Sequence, residues 1–233
     1  MQITCKEAIR CSRPVYFEVE ENFEYSEEYP YYRHGSSFIC KYRDRYFIVT
    51  AEHVIQDTDN PERLFVLSEK DDETILVPDR SIKINSNDEP FKDIRIFRID
   101  DSIENDEWKV DAIPISERSV HIGSKATQHG SSLVLSGFPK SRQSIDLQNK
   151  TLKQERVVIK GFYESNTSKF KHRMKFPSGH GVTTTEGFSG SPVLCESQDG
   201  FGISGLTIWG GSDGVQFIDS GVLWRLFEEQ SSD

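Results

Sequence analysis

Thr183-Thr-Thr-Glu-Gly-Phe-Ser-Gly-Ser-Pro-Val193 is the stretch from which the rest of the chain can be interpreted. Within it, Ser189 stands between Gly187 and Gly190, and a proline follows. Glycine weakens helices and strands and proline removes a backbone donor, so this stretch is expected to form a tight, exposed turn. Gly187 would let successive N–H groups point into one concavity beside the serine hydroxyl, as an oxyanion hole requires. By itself, the pattern also fits an ordinary glycine-rich hairpin turn.

Two upstream stretches offer the groups that a serine nucleophile needs. A serine hydroxyl requires a positioned base, usually a histidine, which a buried carboxylate orients in turn. An apolar strand, Tyr46-Phe-Ile-Val-Thr-Ala-Glu-His-Val54, runs directly into His53, and Phe91-Lys-Asp-Ile-Arg-Ile-Phe97 places Asp93 at the head of an alternating strand. Taken singly, the histidine fits a capping or core residue and the aspartate fits a charge that resists edge pairing. The three stretches together favour a catalytic triad.

These residues resemble the motifs of the chymotrypsin-fold, trypsin-like serine peptidases. Thr50-Ala-Glu-His53 resembles the T-A-x-H motif of that family, Asp93-Ile resembles its D-I motif, and Gly187-Phe-Ser-Gly-Ser-Pro192 resembles its G-x-S-G-x-P motif. The order of histidine, aspartate and serine along the chain is also that of the family. Weaker matches extend the resemblance over about residues 15–228. They are Gly35-Ser-Ser-Phe-Ile39, Ser136-Gly-Phe-Pro139, Gly205-Leu-Thr-Ile-Trp-Gly210 and Gly221-Val-Leu223.

The resemblance implies an all-β fold of two packed six-stranded antiparallel β-barrels with a short C-terminal helix. From Ser36 onward the sequence independently shows short apolar alternations cut by turn residues, which indicates a sandwich or barrel rather than an α/β fold. We expect residues 1–233 to form a single trypsin-like peptidase domain, with an N-terminal barrel at about 15–105 and a C-terminal barrel at about 112–228. The boundary between the barrels is expected near residues 101–118.

The same resemblance implies a serine endopeptidase that cleaves protein substrates through an acyl-enzyme. Ser189 would attack the peptide carbonyl, and His53 would accept its proton and return it to the leaving amine. Asp93 would hold the imidazole tautomer and stabilise the cation. The backbone N–H groups of Gly187 and Ser189 would bind the oxyanion.

The substrate-binding residues implied by the resemblance are Thr183, Thr184, Trp209, Gly210 and Gly221. Thr183 would lie near the floor of the specificity pocket with Thr184 beside it, and the two glycines would leave the entrance open. Trp209 belongs to the first of two wall strands, and Gly221-Val-Leu223 resembles the second. No carboxylate falls at the expected floor position, which disfavours specificity for arginine or lysine.

Among the branches of the family, the closest resemblance is to bacterial glutamyl-endopeptidase-like enzymes. It depends on Thr183-Thr184 before the nucleophile and on Trp209-Gly-Gly211 after it. Thr184 matches a threonine that helps to bind the substrate carboxylate, but the partner histidine of those enzymes is not matched. Acidic and medium-sized uncharged side chains therefore both stay open as substrates, and we favour the uncharged ones.

Two departures from the family pattern concern activation and the support of the triad. Many animal members carry an aspartate immediately before the nucleophile, which pairs with a newly cut N-terminus; Phe188 stands there instead. Activation by such a cut is therefore not predicted. The serine that commonly braces the catalytic aspartate aligns with Ile208, and Thr207 is the residue that could replace it.

Composition and charge exclude several classes of protein. With 233 residues, of which 35% are hydrophobic and 28% charged, the chain has the composition of one soluble globular domain. Its formal net charge of −10 argues against nucleic acid as the main ligand, because phosphate binding requires a basic face. The four cysteines are sparse and unclustered, which favours free thiols over disulfides or a structural metal. We expect no metal and no cofactor.

A cytoplasmic location without membrane association is expected. The first ten residues lack the continuous apolar core, about 7–15 residues long, of a secretory signal. No later stretch approaches the roughly 18 apolar residues of a membrane span.

A cytoplasmic peptidase must be kept from digesting its host, so we expect intrinsically narrow specificity or gating by a regulatory protein partner. Residues 18–32, which are strongly acidic and aromatic, and the loops within 140–180 are candidate sensors. The competing class is a non-cleaving, peptidase-like binding module, although such a module has no chemical need for intact Ser189, His53 and Asp93. An esterase of the α/β-hydrolase type would need G-x-S-x-G and a histidine that comes last, and neither condition holds.

Overall fold

The computed structural model describes residues 8–18, 31–55, 64–67, 75–82, 90–100, 107–146, 148, 151–198 and 200–230. Two large β-sheets, a two-stranded sheet of Gln143–Asp146 and Thr151–Gln154, and two short α-helices account for most of this part of the chain. The strands of the first half are β1 Ser12–Glu18, β2 Tyr31–Tyr42, β3 Arg45–Ala51, β4 Leu64–Leu67, β5 Ile75–Leu76, β6 Pro78–Ile82, β7 Ile94–Ile99 and β8 Ile113–Pro114. Those of the second half are β9 Ser132–Gly137, β10 Gln143–Asp146, β11 Thr151–Gln154, β12 Val157–Asn166, β13 Lys171–Lys175, β14 Pro192–Ser197, β15 Gly200–Gly211 and β16 Gly214–Asp219. The helices are α1 Glu117–Lys125 and α2 Ser220–Gln230.

The first sheet is a nearly closed barrel built from the strands of the first half. Its strand order is β5-β4-β1-β2-β3-β7-β6, and β8 pairs with β2 in parallel. Apolar side chains such as Val15, Ile48 and Phe97 fill its interior together with Trp108, and each is almost completely buried.

The second sheet is a closed six-stranded barrel with the order β12-β13-β16-β15-β14-β9. Along β12 the side chains alternate between the interior and solvent, as a strand with one dry face requires. By contrast, β15 is buried from Gly200 to Ile208. Four of its apolar residues lie in the cluster shared with the first barrel, namely Phe201, Ile203, Leu206 and Ile208. Helix α1 also packs against this strand, since a Cβ atom at Gly202 would lie 2.6 Å from Ile122.

Besides the interiors of the two barrels, a third apolar cluster lies between them and joins them. It combines Phe38, Val49 and Ile96 of the first sheet with residues of β15 and of α2. Phe227 of α2 packs against the rings of Tyr42 and Phe47, at centroid distances of 5.1 Å and 5.0 Å. The C-terminal helix α2, which follows the last strand of the second barrel, therefore packs against the first barrel and stabilises the association of the two.

The predicted fold class is confirmed, with three differences in detail. The first sheet has eight strands in the described residues and is nearly rather than fully closed. The expectation that Gly221–Leu223 form a strand is wrong, because these residues lie in the first turns of α2. The sequence analysis also did not anticipate α1, whose N-terminus is capped by Ser116, since its side chain accepts a hydrogen bond from the N–H of Ser119 at 3.2 Å.

Two of the sequence predictions fall largely outside the described residues. The acidic segment 18–32 is described only at its two ends, so its role as a sensor for a partner stays a prediction. Part of the expected boundary between the barrels, residues 101–106, is also outside the described part of the chain. The barrel limits of about 15–105 and 112–228 stay predictions too.

Candidate active site

His53 and Asp93 are brought together by the pairing of β3 with β7. In this antiparallel pair Ala51 lies opposite Ile94, so the residues just after β3 adjoin those just before β7. His53 lies in a 3₁₀ turn, Glu52–Val54, and Asp93 ends another, Phe91–Asp93. The register of one strand pair thus positions two side chains that are 40 residues apart.

The imidazole of His53 is hydrogen-bonded to the carboxylate of Asp93. Nδ1 of the histidine lies 2.8 Å from Oδ1 of the aspartate, and the two side chains are 38% and 28% exposed. A carboxylate at Nδ1 fixes the ring so that Nε2 is directed away from it. The side chain of Glu52 pairs with Arg95, which ties the histidine turn to β7 a second time.

The stretch around Ser189 forms two consecutive tight turns. Gly187 and Gly190 have φ angles of 93° and 88°, a conformation that favours glycine. Between them Phe188 is completely buried in the core of the second barrel. This apolar anchor holds the turn while Ser189 stays half-exposed at its tip.

Strand β2 places the Ser189 turn beside the His53 turn. The N–H of Ser36 donates to the carbonyl of Ser189 at 2.8 Å. At Gly35, a Cβ atom would lie 2.8 Å from Val54, the neighbour of His53, and 3.1 Å from the Ser189 carbonyl oxygen. The two turns therefore meet across Gly35, where any larger residue would force them apart.

The hydroxyl of Ser189 makes no hydrogen bond within the part of the chain that the structure describes. The structure thus contains the histidine–aspartate bond but not the serine–histidine bond. Catalytic hydrogen bonds are often long without substrate and shorten when substrate binds.

The backbone of this turn leaves two N–H groups without a partner among the described residues, those of Gly187 and Ser189. Their neighbours in the turn are all paired. N–H groups in such a concavity can bind an anionic oxygen. The paired N–H groups are those of Glu186, Phe188, Gly190 and Ser191, which donate to Thr184 Oγ1 and to the carbonyls of Thr185, Thr207 and Phe188, respectively.

Lys140 fixes the peptide group that carries the Gly187 N–H. Its own N–H donates to the carbonyl of Glu186 at 2.8 Å, and its ammonium lies 2.8 Å from the Glu186 carboxylate. Because a peptide group is planar, holding the Glu186 carbonyl also aims the Gly187 N–H in the opposite direction.

Three of the predicted pocket residues lie beside this turn. Thr183 is exposed and Thr184 is half-buried. The Thr184 hydroxyl accepts the N–H of Glu186 at 3.2 Å. Trp209, near the end of β15, is 55% exposed. Their roles in binding a substrate stay predictions.

The remaining two predicted pocket residues differ from expectation. At Gly210, where an open entrance was expected, a Cβ atom would lie 2.4 Å from Cβ and Oγ1 of Thr185, so this space is filled. Gly221 lies at the start of α2, where its N–H donates to the Asp219 carboxylate at 2.6 Å. The strand that follows β15 and pairs with it is instead β16.

Thr207 does not brace Asp93. Its hydroxyl oxygen is buried and has no hydrogen-bond partner among the residues described. Ile208 is buried in the core between the barrels. The Asp93 carboxylate is therefore held mainly by His53 itself.

Sequence reasoning missed three contributors to the site, which are Ser36, Thr185 and the Glu52–Arg95 pair. The small residues Gly35-Ser-Ser before an apolar strand were the only local signal for Ser36. Thr185 and Glu52 gave no local signal of a role, because their partners Gly210 and Arg95 are distant in the sequence.

The described cysteines are not nucleophiles. Cys11, Cys40 and Cys195 are free and buried. Burial raises the pKa of Cys11 to about 12 and that of Cys40 well above its ordinary value, so both thiols stay protonated. In the described ranges no group of three or more histidine, cysteine, aspartate or glutamate side chains could hold a metal ion. None of the described helices is long and apolar enough to cross a membrane.

Comparison with known families gives one match. The family model described as Trypsin matches residues 38–222, which include His53, Asp93 and Ser189. No curated protein matches the chain.

Proposed function

Since the chain belongs to the trypsin family of serine peptidases, we propose that it is an endopeptidase that cleaves protein or peptide substrates with Ser189 as the nucleophile. The observation that carries this proposal is the hydrogen bond of 2.8 Å between His53 and Asp93 at the edge of the turn that presents Ser189. A histidine oriented by a carboxylate is the base that a serine hydroxyl requires.

In the proposed first step, Oγ of Ser189 forms a bond to the carbonyl carbon of the substrate. Its proton passes to Nε2 of His53, and the carbonyl oxygen becomes an oxyanion. The N–H groups of Gly187 and Ser189 would donate to that oxyanion, and Asp93 would stabilise the imidazolium.

Collapse of this intermediate breaks the carbon–nitrogen bond. His53 returns its proton to the leaving amine, and the acyl group stays on Ser189. A water molecule then attacks the ester, with His53 again as the base, and releases the carboxylate product and the free serine.

We propose that no proteolytic cut is needed to form this site. Phe188 holds the turn by complete burial in an apolar core. A pairing aspartate at this position would need a new cationic N-terminus, whereas an apolar ring is anchored as soon as the barrel folds.

The kinship with glutamyl-endopeptidase-like enzymes receives little support from the site. The Thr184 hydroxyl accepts the N–H of Glu186, and this bond leaves its O–H free to donate to a carboxylate. The histidine that would help to bind a substrate carboxylate is not matched, however, and Thr207 stands in that stretch instead. We therefore propose uncharged rather than acidic side chains at the cleaved bond.

Labelling with a fluorophosphonate probe tests the proposed function, because the probe reacts only with an activated serine. We expect wild-type protein to be labelled and Ser189→Ala to be unlabelled. His53→Ala should react at least about 10³-fold more slowly, because the base is lost. Ser197→Ala and His121→Ala change the same residue types at exposed positions and should be labelled like the wild type.

Two results would contradict the proposal. Labelling that persists in Ser189→Ala would show that another residue is the nucleophile. A folded wild-type protein that is never labelled would favour the alternative of a non-cleaving binding module.

A further inference from the structure

We propose that Thr185 closes the pocket beside Ser189 to all but small side chains, so that this protein cleaves after residues such as glycine, alanine and serine. This inference rests on the proposed peptidase function, since it concerns the residue whose carbonyl Ser189 attacks. It names the class of substrate that the site accepts.

The pocket lies between two segments that flank the Ser189 turn. One is residues 184–186, which lead directly into the turn. The other is the end of β15, which is joined to the turn by hydrogen bonds of 2.8 Å from Gly190 N to Thr207 O and of 2.9 Å from Thr207 N to Ser191 O. A substrate residue whose carbonyl oxygen met the N–H groups of Gly187 and Ser189 would place its side chain beside these two segments, because both adjoin the turn that carries those groups.

The two segments touch each other in the structure. A Cβ atom at Gly210 would lie 2.4 Å from both Cβ and Oγ1 of Thr185, and 3.1 Å from its Cγ2. A substrate side chain between two walls needs about 7–8 Å from wall to wall, because each carbon contact takes about 3.5–4 Å. With Thr185 against the Gly210 backbone, the gap at Gly210 is narrower than this, so a large side chain does not fit there.

Neither wall is a loose loop. The carbonyl of Thr185 accepts the N–H of Phe188 at 3.1 Å, and the Phe188 ring is completely buried. On the opposite side, Gly210 lies on β15 in register with Val215 of β16, within the closed barrel. Moving Thr185 away from Gly210 would therefore disturb the turn that carries the oxyanion N–H groups.

Because Thr185 and Gly210 are both held in place, we expect the site to discriminate between substrates by the size of the side chain beside Thr185. A hydrogen or a methyl group on the substrate residue fits beside Thr185, whereas leucine or phenylalanine must displace it. Removing the Thr185 side chain opens the slot, and the backbone around Ser189 stays in place.

The experiment uses diphenyl phosphonate probes that differ only in the side chain next to the reactive phosphorus, namely alanine, valine, leucine and phenylalanine. Rates of inactivation are measured for each protein and compared with its rate of labelling by a generic fluorophosphonate. For the wild type we expect the alanine probe to react at least about tenfold faster than the phenylalanine probe. In Thr185→Gly the rate with phenylalanine should rise at least about tenfold, and that with alanine should change much less.

Two further variants separate the effect of the side-chain volume at position 185 from the effects of losing its hydroxyl or of introducing a glycine. Thr185→Val keeps the volume without the hydroxyl, so it should keep the discrimination against phenylalanine. Thr167→Gly makes the matched change in an exposed turn between β12 and β13 and should leave all rates unchanged.

The outcomes distinguish this inference from the proposed function. If the fluorophosphonate labels Ser189 but the wild type reacts equally with alanine and phenylalanine probes, the role of Thr185 is wrong and the peptidase function stands. The same holds if Thr185→Gly leaves the ratio unchanged. If folded wild-type protein reacts with no probe, the peptidase function fails, and the inference fails with it.

Discussion

At the scale of single residues, Ser36 connects the two halves of the site. Its hydroxyl donates to the Gly187 carbonyl at 2.7 Å and accepts the N–H of Phe138 at 3.0 Å. Its carbonyl accepts the hydroxyl of Thr50 at 2.8 Å, three residues before His53. A side chain of the first barrel thus holds the Ser189 turn of the second.

Ser36→Ala should slow the reaction more than it destabilises the fold. The substitution removes the hydrogen bonds from Ser36 to the Gly187 carbonyl and from the Phe138 N–H to Ser36, at a cost of about 1–3 kcal/mol in unfolding free energy. Loss of a whole oxyanion donor lowers kcat by about 10²–10³-fold, so losing only its alignment should lower it by about tenfold. Fluorophosphonate labelling rates, with urea unfolding beside them, measure both effects.

Ser37→Ala is the matched control for this prediction. Ser37 is equally buried and its hydroxyl also donates to a backbone carbonyl, that of Arg13, at 3.3 Å. Within the described residues, the Ser37 hydroxyl makes no hydrogen bond to the Ser189 turn. If both variants slow labelling equally, Ser36 acts through general stability and not by positioning Gly187.

At the scale of elements, β1 is joined to the segment that enters the second barrel by a buried ion pair. Arg13 Nη2 lies 2.9 Å from Oδ2 of Asp111, at the end of a 3₁₀ turn, Glu107–Asp111. The two side chains are 1% and 2% exposed. One residue earlier, the hydroxyl of Ser12 meets that of Ser136 in β9 at 2.8 Å.

Asp111→Ala should destabilise the protein by about 3–5 kcal/mol, because it breaks a buried ion pair by removing the carboxylate beside the Arg13 guanidinium. Asp79→Ala is the control, since Asp79 pairs with Arg98 at a partly exposed position between β6 and β7. Loss of a surface pair costs at most about 1 kcal/mol. Urea unfolding of both variants measures the two losses of unfolding free energy. Equal losses would show that the buried Arg13–Asp111 pair contributes no more to stability than the Arg98–Asp79 pair.

At the scale of the whole molecule, the two barrels share a core and should unfold together. Cys11 and Cys40 lie in the cluster between the barrels, and Cys195 lies inside the second barrel. Burial raises the pKa of each thiol from its ordinary value of 9.0, to about 12 for Cys11. Because the folded state holds these protons more tightly, the resulting stabilisation is complete below about pH 9 and is lost as the pH rises toward the folded values.

Thiol labelling in urea at pH 8 tests this cooperativity. In the native protein the three thiols are protonated and inaccessible, so we expect them to react only through unfolding. The free energies of opening at Cys11, Cys40 and Cys195, resolved by mass spectrometry, should be equal and should match that of global unfolding. Labelling of Cys195 at lower urea than the other two would show that the second barrel opens alone.

The residues that could be identified from sequence are those whose signal is local. Positive φ at Gly187 and Gly190, the apolar strand before His53 and the alternating strand after Asp93 depend on neighbours in the chain. Gly221 is a position where local signals are not enough, because the short apolar run that contains it fits a strand or a helix equally well. The nearby Asp219 carboxylate, which accepts the Gly221 N–H, is what starts a helix there.

The sequence by itself determined the all-β fold and the three stretches that contain His53, Asp93 and Ser189, because backbone preference and side-chain periodicity are properties of short segments. Only the tertiary structure decided that Ser36 holds Gly187 and that Thr185 fills the space over Gly210. Each of these contacts joins residues that are far apart in the chain, so its distance is set by how strands and barrels pack. That packing sums many weak contacts, which no single motif encodes.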